Sequence, residues 1–169
     1  MPQIPELCVV DVNVGIAANG EADVCRKCEL KCVETLQAIM ENGRVAIDNL
    51  DLIWNEYMGY LRIAGEPGMG DEFLRWIHEN QWINGRCETV PITPTAEDPL
   101  DFEEFPDDVA LAEFDRSDRK YVAVAAVALG CLGVATVINA TDSDWKHHEL
   151  ALNAVGIPVI QLCPDELKD

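Results

Sequence analysis

Four carboxylates in this chain stand where chemistry can be done. Asp11 follows the apolar run Leu7-Cys8-Val9-Val10, and Asp142 follows Val137-Ile138-Asn139-Ala140-Thr141. Both runs read as buried strands, and in open α/β sheets ligands bind at the carboxyl ends of the strands. Asp118 precedes a segment that is apolar on every side from Tyr121 to Leu129, and the start of a helix favours an anion. Glu56 lies off the apolar stripe of its own helical segment, so the core does not claim it. Carboxylates brought together repel one another and need a cation to coexist. Hard oxygen ligands with open positions suit Mg²⁺ or Mn²⁺, which activate water and clamp phosphate. Taken singly, each aspartate also reads as a strand-end cap or a solvated loop residue; the set of four points to metal-assisted hydrolysis.

The elements that must position them alternate. A strand up to Val10 is followed by a helix over Val24 to Glu41, a short strand at Arg44-Val45-Ala46-Ile47, and an amphipathic helix with Leu50, Ile53, Trp54, Tyr57, Met58 and Leu61 on one face. Gly65-Glu66-Pro67-Gly68-Met69-Gly70 reads as a connection and Asp71 to Trp82 as a further helix. Thr89-Val90-Pro91-Ile92 suits an edge strand, because Pro91 cannot donate to a ladder. Residues 95–108 form an acidic, proline-bearing loop. Ser117 is the expected cap of the all-apolar helix; Val134 to Ile138 is a strand, Trp145 to Val155 a helix and Ile157 to Leu162 the last strand. The expectation is an α/β fold: a single domain over residues 1–169, with a mostly parallel central sheet flanked by helices.

Other groups invite chemistry and are read more plainly. Cys25, Cys28 and Cys32 share a helical stripe with Leu36 and Ile39, which favours a packed face over a zinc or iron–sulfur site. All seven cysteines are expected as free thiols, with Cys8, Cys131 and Cys163 inside apolar runs. The glycines of 65–70 lack a Lys-Ser/Thr ending and read as a turn, not a phosphate cradle. His147 and His148 read as a solvated pair. Arg116, Arg119, Lys120 and Lys146 flank Asp118 and Asp142; they suit either contacts to a scissile strand or charge balance for the carboxylates.

Composition bounds the function classes. The 169 residues hold 12 Lys and Arg against 31 Asp and Glu, a net charge of −19 that excludes a general electrostatic binder of nucleic acid. An enzyme can still work there if a local basic strip and bound cations offset the field. The longest apolar stretch, Tyr121 to Leu129, is too short for a bilayer, and the start of the chain has neither a basic n-region nor an h-region, so the expected location is the cytoplasm.

Four segments taken in order resemble the successive motifs of PIN domains: Val9-Val10-Asp11-Val12-Asn13-Val14, Trp54-Asn55-Glu56-Tyr57, Asp115 to Ala125 and Thr141-Asp142-Ser143-Asp144-Trp145, with Gly156-Ile157-Pro158-Val159 as the closing strand. The resemblance spans nearly the whole chain. It implies a parallel sheet with the first and fourth strands adjacent, and Mg²⁺- or Mn²⁺-dependent hydrolysis of nucleic acid, with single-stranded RNA ahead of DNA. It implies Asp11, Glu56, Asp118 and Asp142 as the catalytic acidic set and metal ligands, Asp144 as a fifth ligand, and Asn13 and Thr141 as polar neighbours on the substrate side with Arg116, Arg119, Lys120 and Lys146. A protein partner such as an antitoxin and a homo-oligomer both fit the family. Val12 departs from the Thr often found after the first Asp, and Asp115 is an extra acid that could assist Asp118.

Rival readings are fewer. A phosphohydrolase of the haloacid dehalogenase type needs a second Asp two residues after the first and usually a Thr beyond it; Asn13 and Gly15 stand there. A receiver domain needs a lysine near the last strand, where this chain has Gln161-Leu162-Cys163. An acidic, non-catalytic module that binds a structural cation or a basic partner suits the net charge but not the strand-end placement.

Overall fold

The structure is a computed structural model and describes residues 2–168. Five parallel strands form one sheet in the order β3-β2-β1-β4-β5. They are β1 (Cys8–Val10), β2 (Val45–Asp48), β3 (Cys87–Val90), β4 (Thr136–Asn139) and β5 (Val159–Gln161). Seven helices flank the sheet: α1 (Val12–Ala18), α2 (Arg26–Asn42), α3 (Leu52–Tyr60), α4 (Met69–Asn80), α5 (Arg119–Leu132), α6 (Ser143–His147) and α7 (Glu149–Ala154). The α/β expectation holds, including the adjacency of β1 and β4, where Cys8, Val9 and Val10 pair with Thr136, Val137 and Ile138. Because β1 is central and covered on both faces, its residues are apolar without alternation and fully buried. Tyr121 to Ala125 and Ala128 of α5 are buried in the core. No helix among the described residues is long and apolar enough to cross a membrane.

Several local expectations are corrected. The segment after Asp11 is helical, although Val12, Val14 and Ile16 are β-branched. Asp11 caps it by accepting the Asn13 N–H at 2.9 Å, and tertiary burial of Val12, Val14 and Ala17 outweighs the weak propensity. The helix expected from Asp71 begins at Met69, and the one expected over 145–155 is two helices that break at His148. Asp115, not Ser117, caps the turn before α5: its Oδ1 accepts from the Ser117 N–H at 2.9 Å and from the hydroxyl at 2.8 Å. His148 is not solvated, because the break turns its ring inward, edge-on to Phe114 at 5.3 Å and 3.2 Å from Asp144.

The cysteines also depart from expectation. Cys28 and Cys163 form a disulfide across 135 residues, because the α2 face that carries Cys28 meets the segment leaving β5. Cys131, at the end of α5, is exposed, and so is Cys25, which occupies the cap position of α2.

One close approach sets the position of α1. A methyl group at Gly70 of α4 would lie 2.2 Å from the Gly15 carbonyl oxygen. The two backbones therefore touch with no side chain between them. Asp71, next in the chain, accepts from the Asn19 amide at 2.9 Å and the Arg62 N–H at 2.8 Å. That ties the end of α1 to the α3–α4 connection.

Candidate metal centre

Asp11, Asp118 and Asp142 converge at the carboxyl end of the sheet. Each offers a carboxylate oxygen, and these oxygens lie within 4.8 Å of one another. Asp11 follows β1, Asp142 follows the neighbouring β4, and Asp118 enters from the start of α5. Parallel neighbours deliver their following residues to the same end, so pairing β1 with β4 suffices to bring two of the three together.

Aromatic side chains hold the end of β1. The Tyr57 hydroxyl donates to the Val10 carbonyl. The Val12 N–H donates to the Tyr121 hydroxyl at 3.3 Å. Between them, the Trp145 indole N–H donates to Asp11 Oδ2 at 2.8 Å, while Oδ1 takes the Asn13 N–H. Each Asp11 oxygen keeps a lone pair for a further partner.

Asn139, fully buried at the end of β4, holds the other strand end. Its carbonyl accepts from the Asn13 amide at 2.8 Å and from the Asp142 N–H at 3.2 Å. Its amide donates to the Asp142 carbonyl at 2.9 Å and to Gln161 Oε1 at 2.6 Å. Asn13 in turn accepts from the Ala140 N–H at 2.9 Å. Asp142 caps α6 with one oxygen, which receives the Asp144 N–H at 2.8 Å. Asp118 sits at the cap position of α5 but makes no cap bond, so its carboxyl is left to the cluster.

The electrostatics match that crowding. Burial raises the Asp11 carboxyl well above the ordinary range, against the Asn13 and Trp145 donors, with Glu56 and Asp142 adding repulsion. Asp118 is raised by burial first, then by the Asp11 charge and by a shared hydrogen bond with Asp142. Asp11 and Asp118, raised in this way beside Asp142, are part of a donor set lacking positive charge, and oxygen ligands of this kind fit Mg²⁺ or Mn²⁺. By contrast, Asp48 stands at the end of β2 and is no part of the set. Its oxygens are engaged by the N–H groups of Leu50, Leu52 and Ile53 at 2.9 Å each.

The remaining expected site residues divide. Glu56 faces the cluster closely enough to act on the Asp11 charge, and it forms an ion pair with Lys120. Asp144 is turned away: its Oδ2 accepts from the Asp115 N–H at 2.8 Å and its Oδ1 faces His148. Asp115 is engaged in capping. Arg119 is held by Asp101 at 2.9 Å and the Ala112 carbonyl at 2.8 Å, and lies over the Phe105 ring at 4.3 Å. Arg116 pairs with Asp98. Thr141, next to Asp142 in the chain, and Lys146 of α6 are half-buried. Reasoning from sequence missed Trp145 and Asn139, although each carried a signal: an indole inside a polar stretch, and an amide ending an apolar strand. The chain matches no family model, no curated protein and no solved structure.

Proposed function

We propose that the protein is a divalent-metal-dependent nuclease of the PIN type that hydrolyses phosphodiester bonds in single-stranded RNA. The observation that carries this reading is the convergence of Asp11, Asp118 and Asp142, with carboxylate oxygens within 4.8 Å, at the ligand-binding end of a parallel sheet. Asp11, Asp118 and Asp142 are the residues that would hold Mg²⁺ or Mn²⁺, with Glu56 beside them. The ion would supply Lewis acidity toward a water and a phosphate oxygen. The chain's own part is orientation: Trp145 and Asn13 fix the plane of Asp11, and Asn139 fixes the backbone that presents Asp142. Lys120, which pairs with Glu56 and acts on the Asp118 charge, is the cation that would meet a substrate phosphate. Cellular RNA as substrate makes the cytoplasm part of the same proposal.

The deciding experiment is Mn²⁺-dependent cleavage of single-stranded RNA and DNA by the wild type beside Asp11→Asn and Asp142→Asn. Loss of cleavage in both variants, with unchanged circular dichroism, is the expected result. Near-wild-type turnover in either would overturn the assignment.

A further inference from the structure

A second donor set lies apart from the carboxylates and owes nothing to the nuclease reading. Cys28 and Cys32 stand four residues apart on one face of α2, and Cys163 follows β5. All three are buried, and their sulphurs lie within 4.8 Å of one another. Cys28 and Cys163 are bonded, yet Cys32 Sγ also approaches Cys163 Sγ to 3.9 Å. A structural cross-link needs two sulphurs; a third directed at the same point makes a ligand set. Zinc held tetrahedrally about 2.3 Å from each thiolate keeps its sulphurs about 3.8 Å apart. The Cys32–Cys163 pair already has that spacing, and the bonded Cys28–Cys163 pair must open to reach it.

A cavity of about 710 Å³ adjoins this cluster and is lined by Cys25, Cys28 and Cys163. Cys25, the exposed cap residue of α2 three positions before Cys28, lines the same cavity, so it is the further sulphur available for a fourth position. Lys27 and Lys31 line the same cavity together with Glu34, Asp165 and Glu166, and Lys27 pairs with Asp165. We propose that Cys28, Cys32 and Cys163, with Cys25 as fourth ligand, form a zinc site that the Cys28–Cys163 disulfide closes and reduction opens. In the opening step a dithiol gives two electrons and two protons to the Cys28 and Cys163 sulphurs and leaves as its own disulfide. Zinc uptake then releases the ligand thiol protons to water.

The test uses the full chain, reduced with a phosphine without oxygen, beside the untreated oxidised chain. Both are titrated with Co²⁺ as a spectroscopic probe and then with Zn²⁺. The reduced chain should bind one equivalent of Co²⁺ with a thiolate-to-cobalt charge-transfer band, displaced by one equivalent of Zn²⁺; the oxidised chain should show no band. Cys32→Ser should weaken binding by more than about a hundredfold, beyond what outer-shell changes cost at zinc sites, while Cys131→Ser, at an exposed cysteine outside the cluster, should bind as the wild type does. The comparison of oxidised and reduced wild type needs no variant to fold. A reduced wild type without the band, or a band that survives in Cys32→Ser, overturns the site. Unchanged affinity in Cys25→Ser overturns the fourth ligand.

Discussion

The Trp145 indole reaches across 134 residues of chain to donate to the Asp11 carboxylate at 2.8 Å. Trp145 is fully buried against Phe114 and Tyr121. The orientation of Asp11 is therefore set by the packing of α6 as much as by β1. A hydrogen bond to an ionised group is worth about 1.5–3 kcal/mol. Trp145→Phe should lower stability in denaturant by about that amount and weaken Mn²⁺ binding, because the Asp11 carboxylate loses a donor that favours ionisation. A variant with wild-type Mn²⁺ affinity by calorimetry would separate the two residues.

Asn139 is the hub of the opposite strand end, and the Asn13 amide, the Asp142 N–H and Gln161 all meet it. Asn139→Ala leaves several buried groups unpaired, each costing about 1–3 kcal/mol. The expected loss in urea unfolding is about 3 kcal/mol or more, with the Mn²⁺ response reduced because Asp142 is no longer held. A loss below about 1 kcal/mol, on the scale of a single net hydrogen bond, would show that water replaces this network.

Stability should depend on pH in a direction that the metal reverses. The folded-state carboxyls of Asp11 and Asp118 are raised from 3.8 to about 7 and about 9, chiefly by burial. The folded form therefore binds protons more tightly than the unfolded chain. The contribution of these groups to stability is full below about pH 4 and falls as pH rises through 7 toward 9. In chelator, melting temperature should decline over that window against the background of other groups. Millimolar Mn²⁺ should offset the decline, because it binds the ionised native cluster and stabilises it by mass action. Asp118→Asn should remove much of the slope. Identical profiles with and without Mn²⁺ would mean that no cation joins these carboxylates.

The acidic segment holds two arginines by different means. Arg116 is 62% exposed in its pair with Asp98, whereas Arg119 is 11% exposed and has carbonyl partners besides Asp101. Asp98→Asn should free Arg116 for phosphate. Each new phosphate contact steepens the dependence of log affinity on log salt by about 0.7 for a single strand. Asp101→Asn should leave the slope unchanged, since Arg119 stays anchored. RNA binding to a catalytically inactive Asp11→Asn background, measured over a salt series, distinguishes the two.

The strand ends were legible in the sequence because a doubly covered strand advertises itself as an uninterrupted apolar run and the residue after it is the one exposed to chemistry. Asp11 follows from that alone, whereas Asp142 lies three residues beyond the end of β4. What sets Asp48 apart from them is invisible in one dimension, since three backbone N–H groups claim it only once α3 has turned back over β2. Helix α1 was hidden by Val12, Val14 and Ile16, whose β-branched side chains suit a strand until the cap and the core overrule them. The Cys28–Cys163 pairing could not be read because helical spacing shows which residues share a face, not what a segment 135 residues later brings to it. Arg119 misled for the same reason: nearness in sequence to Asp118 put it beside the site, while its guanidinium is directed at Asp101 and Phe105.

The contact between Gly70 and Gly15 gives the carboxylate cluster an alignment stop far from any of its acids. Gly15 lies one turn along α1 from Asp11, and its carbonyl accepts the Asn19 N–H at 3.0 Å. A methyl group at position 70 would meet that carbonyl before it met anything compliant. Helix α1 would have to slide or tilt, carrying its own capping residue with it. The tolerance on where Asp11 sits is therefore partly machined into α4, 59 residues downstream of Asp11, counting from position 11 to position 70. A side chain with no chemistry, placed on the far wall of a helix, would detune the site as surely as a change to one of its acids.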